Sequence, residues 1–217
     1  MYDFATLLKT SCADFHHDRD YLVNHVFAFH PVVRDYIHRK YFHVLNGPKE
    51  TVSVHFRVGG DTEPADVYFN AVARYRAFPS VAWYRRIMLT EFRPGRTLFL
   101  VFADNVPVVR DMLLREFGDM AGHIIVVDED FVSSMLLMSL CKHHIGTVST
   151  FSFWGAYLDK KQPYGGKTIF PPSFNAKHGG GLLPFAQWVE IPDPATPAST
   201  TPPDHIGLEE SEGVHQL

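Results

Sequence analysis

Over residues 51–58 the chain alternates, with Val52, Val54, Phe56 and Val58 on one side and Thr51, Ser53, His55 and Arg57 on the other. A period of two with β-branched residues predicts a strand, and Gly59-Gly60-Asp61 ends it. The period then changes: Val67, Ala71, Val72 and Tyr75 recur every three or four positions and predict a helix over 65–78. Continuous apolar runs over 97–102 and 123–127 read as strands buried on both faces. Between them, Val109, Met112, Leu113 and Phe117 share one side of a helix over 106–117. Residues 131–142 are apolar nearly all round, which predicts a helix covered on most sides. Asp128, Glu129 and Asp130 at its start and Lys142, His143 and His144 at its end match a helix macrodipole. Residues 145–148, 149–158 and 167–170 then predict strand, helix and strand.

Strands and helices alternating through short connections predict an α/β fold, a Rossmann-like parallel sheet with helices on both faces. That domain spans 51–190. Residues 1–50 are irregular to helical, with a short helix started by Pro31 and carried by Val32, Val33, Tyr36 and Ile37. Asn46-Gly47-Pro48 closes this region. Residues 191–217, rich in Pro, Thr, Ser and acid, hold too little apolar area to offset the entropy of ordering, and predict a disordered tail.

Composition changes this picture in one respect. The 217 residues are 46% hydrophobic and 20% charged, an ordinary globular balance. The net charge of −4 belongs to the tail, since residues 192–217 carry −5 and the remainder +1. A nearly neutral body has no basic field for nucleic acid, although a local anion site is compatible with it. Cys12 and Cys141 are too few for a disulfide framework. The N-terminal residues lack a signal-peptide pattern, and no apolar run reaches the roughly 18 residues needed to cross a bilayer. No targeting or transmembrane segment is therefore expected within this chain.

In parallel sheets ligands sit at the carboxyl ends of strands, which directs attention to three places. After the first strand, Arg57 runs into Gly59-Gly60-Asp61, where a bidentate cation meets a turn that allows close backbone approach. After the fourth, Ser149-Thr150-Phe151-Ser152 opens a helix, either as an anion cradle of amides and hydroxyls or as a plain N-cap by Ser149. After 97–102, Asp104 either accepts hydrogen bonds from a sugar or base or caps the next helix. Thirteen histidines raise the question of a metal, but no HExxH or CxxC spacing exists, and His143 and His144 read as helix C-terminal residues. GxSxG, the phosphate-binding P-loop and the NAD fingerprint are also absent.

The run Leu137-Met138-Ser139-Leu140-Cys141-Lys142-His143-His144-Ile145, followed by Ser149-Thr150-Phe151-Ser152-Phe153-Trp154-Gly155-Ala156-Tyr157-Leu158, closely resembles the C-terminal signature of the α-1,2-fucosyltransferase family, glycosyltransferase family 11. Val54-His55-Phe56-Arg57 resembles the start of that family's H-x-R-R-x-D motif, Phe102-Ala103-Asp104-Asn105 its F-S-D-D motif, and Ile169-Phe170-Pro171 its apolar-Pro ending. The resemblance covers about residues 30–190. It implies the donor-binding half of a GT-B glycosyltransferase, transferring L-fucose from GDP-fucose, with inversion, to a hydroxyl of a galactose-containing glycan. No metal or other cofactor is implied. Arg57, Gly59, Gly60, Asp104, Ser149, Thr150, Phe151 and Ser152 are the implied donor-binding residues, and His55 and Asp61 the candidates for the base.

Departures from the family pattern are specific. Val58 stands where the family has a second arginine, Asp61 lies one position late, and Val148, Phe153 and Asn105 replace Asn, Trp and Asp. The family's early G-x-L-G-N-Q motif is absent, which marks an N-terminally truncated or divergent member. The alternative expectation is an inactive nucleotide- or glycan-binding relative. By resemblance, a eukaryotic member would sit at the Golgi membrane through an anchor missing from this chain, and a bacterial one in the cytoplasm.

Overall fold

The computed structural model describes residues 17–58, 78–162, 165–172, 185 and 187–194. At its centre lies one sheet of six strands: β1 (Glu50–Phe56), β2 (Thr97–Ala103), β3 (Ile124–Val126), β4 (His143–Ile145), β5 (Thr168–Phe170) and β6 (Trp188–Glu190). Every neighbouring pair is parallel, in the order β3-β2-β1-β4-β5-β6. Helices α1 (Pro31–Lys40), α2 (Val81–Thr90), α3 (Val106–Glu116), α4 (Phe131–Leu140) and α5 (Thr150–Tyr157) cover it. The expected α/β Rossmann-like architecture is therefore the one observed.

The two faces divide the sequence pattern between them. Val52, Val54 and Phe56 of β1 and Phe99 and Val101 of β2 pack with Trp83, Tyr84, Ile87 and Met88 of α2 and Val109 and Leu113 of α3. Leu100 and Phe102 point the other way, against Ile37, Leu136, Leu137 and Met138 on α1 and α4. Burial on both sides is why β2 reads as an unbroken apolar run. On the same second face, Phe153, Ala156 and Tyr157 of α5 meet Phe170 and Trp188. Side chains at the helix starts satisfy the otherwise orphaned amides: Ser80 caps α2, Asn105 α3, Asp130 α4 and Ser149 α5. Ser149→Ala is expected to lower stability by about 1 kcal/mol in a denaturant titration. An unchanged midpoint would show that the cap contributes nothing to α5.

Several expectations are corrected. Helix α4 ends at Leu140, and His143 and His144 are buried strand residues of β4, not the helix end. The Lys142 amide donates to the Thr51 carbonyl and hydroxyl, which pulls the chain into the sheet. His144 is then held by Ser53 Oγ at 2.8 Å and faces Asp159 at 3.5 Å. Buried partners for both ring nitrogens outweigh the weaker pull of a helix dipole. Ile191, Pro192 and Asp193, expected in the tail, are tied to α2. Trp83 Nε1 donates to the Ile191 carbonyl at 2.8 Å, Arg86 to the Pro192 carbonyl, and the Ser80 amide to Asp193 at 2.6 Å.

Helix α2 and strand β6 were not expected. The helix carries a legible signal, since a Ser80 cap precedes apolar residues at 83, 84, 87 and 88. Strand β6 has three residues and no periodicity to read. Residues 17–45 belong to the same body, because Ile37 and Tyr41 enter the core and Tyr36, Lys40 and Tyr41 all hold Glu129 in front of α4. The expected helix over 65–78, apart from Phe78, and the tail beyond Pro194 lie outside the described residues. Among the described residues no helix is long and apolar enough to cross a membrane.

Candidate functional site

The strand order reverses at β1, whose chain continues to β2 on one side while β4 lies on the other. Crossovers leaving a sheet in opposite directions open a crevice at the carboxyl ends of the two strands, where open α/β folds bind ligands. Here the crevice lies between Arg57-Val58 after β1 and Gly146-Thr147-Val148-Ser149 after β4. Two of the three places expected from the sequence therefore flank one crevice, and Asp104 after β2 adjoins it.

Thr51, Ser53 and His55 form a polar row along the α4–α5 face of β1, and all three are buried. Thr51 and Ser53 have partners in Lys142 and His144. His55 does not: its Nδ1 is buried without a hydrogen-bond partner among the described residues. Its ring lies 5.3 Å from that of Phe151 in the first turn of α5, while Tyr84 of α2 donates to its carbonyl at 3.0 Å. Buried polar atoms are nearly always paired, so this orphan nitrogen makes His55 a candidate for a hydrogen bond to a ligand.

Burial, with the Arg57 charge as a smaller cause, pushes the His55 pKa down to about 3. The imidazole is neutral at pH 7, and the unfolded chain binds more protons below its ordinary pKa of about 6.5. Stability from this group is complete above that pH and is lost as pH falls towards 3. Between pH 7.5 and 5 the expected loss is about 2 kcal/mol. Burial lowers the His143 pKa as well, in the same direction. His55→Gln should flatten the acid limb of a stability-versus-pH curve, and a limb as steep as wild type would contradict this assignment.

Arg57 Nε lies 3.2 Å from Asp104 Oδ2, and the Val58 amide donates to Asp104 Oδ1 at 2.9 Å. The Arg57 and Asp104 side chains are 28% and 13% exposed, so the pair is partly screened. Across the crevice, Ser149 Oγ accepts from the Phe151 amide at 3.3 Å. The Ser152 hydroxyl is buried and bonds the carbonyls of Thr147 and Ser149. These two hydroxyls shape the turn, so α5 presents its N-terminal dipole at the crevice with the turn already held. Thr150 and Phe151 line an apolar cleft of about 410 Å³ with Phe27, Phe29, Phe131 and Trp154.

His55 is thus brought to Phe151, and Arg57 to Asp104. Gly59, Gly60 and Asp61 lie outside the described residues. Tyr84, under the end of β1, escaped the sequence reading because α2 did. Ser53, His144 and Asp159 resemble a hydrolytic triad in type, but all three are buried and already held to one another, a pairing that ties β1 to β4 and the turn after α5.

Galactoside α-(1,2)-fucosyltransferase 1 of Bos taurus is 26% identical over 205 residues, covering 89% of this chain and 50% of the relative. The Oryctolagus cuniculus protein of the same name is 23% identical over 201 residues, covering 89% and 48%. The chain spans about half the length of these curated relatives. Among solved structures, the fucosyltransferase NodZ from Bradyrhizobium aligns with TM-score 0.39 and 15% identity over 58% of this chain and 41% of that one. NodZ α-1,6-fucosyltransferase soaked with GDP-fucose aligns with TM-score 0.38 and 14% identity over 60% and 43%. The family model of glycosyl transferase family 11 matches residues 5–173, and the chain belongs to that family.

Proposed function

We propose that this chain is the donor-binding half of a galactoside α-1,2-fucosyltransferase-like protein. GDP-fucose binds at the β1–β4 crevice, and L-fucose passes with inversion to a hydroxyl of a galactose-containing glycan. The observation that carries this reading is the end of β1, where Arg57 comes two residues after a buried His55 whose ring lies against Phe151 in the first turn of α5 and whose Nδ1 has no partner among the described residues. A guanidinium, a hydrogen-bonding imidazole and a helix N-terminus together suit a diphosphate.

In the transfer, the acceptor oxygen forms a bond to the fucose anomeric carbon while the bond to the GDP oxygen breaks. The departing diphosphate takes the electron pair. Arg57 and the α5 dipole meet that growing charge, so the proposal assigns no metal to the step. The acceptor proton must go to a base. A neutral His55 with its pKa near 3 is a weak base and suits a hydrogen bond to the donor instead, which leaves Asp61 as the remaining candidate.

Val58, in the place of the family's second arginine, favours a second reading, a binding module that holds nucleotide without turning it over. Incubation with radiolabelled GDP-fucose and a β-galactoside separates the two. Transfer of label to the galactoside supports the enzyme. Nucleotide binding without transfer supports the module, and absence of both removes the donor site.

A further inference from the structure

Strands β1 and β2 run in register, with Phe56 beside Ala103, so Arg57 and Asp104 are the first residues of each strand's exit at the carboxyl edge. One Asp104 carboxylate oxygen meets Arg57 Nε at 3.2 Å and the other accepts the Val58 amide at 2.9 Å. A single carboxylate therefore holds the cation's side chain and the backbone that follows it. A guanidinium anchored at Nε has a fixed plane and gives up less rotamer freedom when an anion arrives. The Arg57 fork and the Val58 amide are thus held in place before an anion binds.

We propose that Asp104 is a positioning residue for the donor site, acting on the diphosphate through Arg57 rather than by touching the nucleotide. This rests on the reading of the crevice as the donor site. It differs from both sequence expectations for Asp104, an acceptor for a sugar or base and a cap on the next helix, which Asn105 caps instead.

Calorimetric titration of GDP into wild type, Asp104→Ala, Arg57→Ala and the double variant tests it. Absence of binding by wild type overturns the donor reading itself, and the positioning role with it. Given binding, Asp104→Ala is expected to weaken it on the order of tenfold, and the double variant no further than Arg57→Ala alone. Additive losses would overturn the positioning role, since Asp104 would then act without Arg57. Asp104→Asn, which keeps an acceptor for the Val58 amide, controls for folding and should weaken GDP binding with little change in the thermal midpoint. Added guanidinium ion should restore GDP binding to Arg57→Ala while Asp104 is present and fail to do so in the double variant. Equal rescue of both would also overturn the proposal.

Discussion

Arg57→Ala is expected to weaken GDP binding on the order of 10- to 100-fold, the range set by hydrogen bonds to a charged group. The guanidinium is held beside the crevice by Asp104 and follows a strand whose last buried polar residue, His55, has an orphan nitrogen. Removing it deletes the crevice's charged donor to the diphosphate and leaves Asp104 to repel the same anion. The loss is therefore expected to exceed that of deleting a solvent-exposed arginine, for which Arg110, paired with Asp128 on the surface, is the control. Arg57→Lys should fall between, because an ammonium keeps the charge but has neither the fork nor the Nε contact. Calorimetry at two salt concentrations measures both parts. A dissociation constant for Arg57→Ala equal to that of wild type would remove Arg57 from the site.

Gly146→Val is expected to cost about 3 kcal/mol, at the upper end for overpacking a core. Gly146 leaves β4 at the carboxyl edge, and its amide donates to the Ile169 carbonyl at 2.8 Å, which fixes its backbone against β5. A Cβ there would overlap the ring of Phe170. That ring has no route of escape, being fully buried and stacked 5.4 Å from Trp188. For a chain of this size the thermal midpoint should drop by roughly 6–12 °C. Phe170→Leu destabilises by itself, yet added to Gly146→Val it should recover part of the loss, a non-additivity that identifies the collision. A Gly146→Val protein with the wild-type midpoint would contradict the packing described for the crevice floor.

The parts of this molecule that were legible in its sequence are those with local causes. Period-two alternation located β1, continuous apolar runs β2 and β3, and Pro31 the start of α1. Ser149 and the apolar stripe behind it located α5. What failed depended on distant partners. His143 and His144 read as a helix end until Val52 and Ser53, about 90 residues earlier, supplied their strand neighbours. Likewise, nothing local reveals that β1 and β2 exit side by side, which is what brings Asp104 to Arg57. Residue types drew attention to His55 and Arg57, whereas their contacts with Phe151 and Asp104 follow from register and burial.

The most direct test of the central claim is a titration of isotopically labelled protein with GDP, followed by backbone amide resonances. The account predicts saturable shifts at Arg57, Val58 and Thr147 through Ser152, with little change at Lys142 and Lys167 near the opposite ends of β4 and β5. Saturable shifts confined to residues away from the β1–β4 crevice, or none at all, would contradict it.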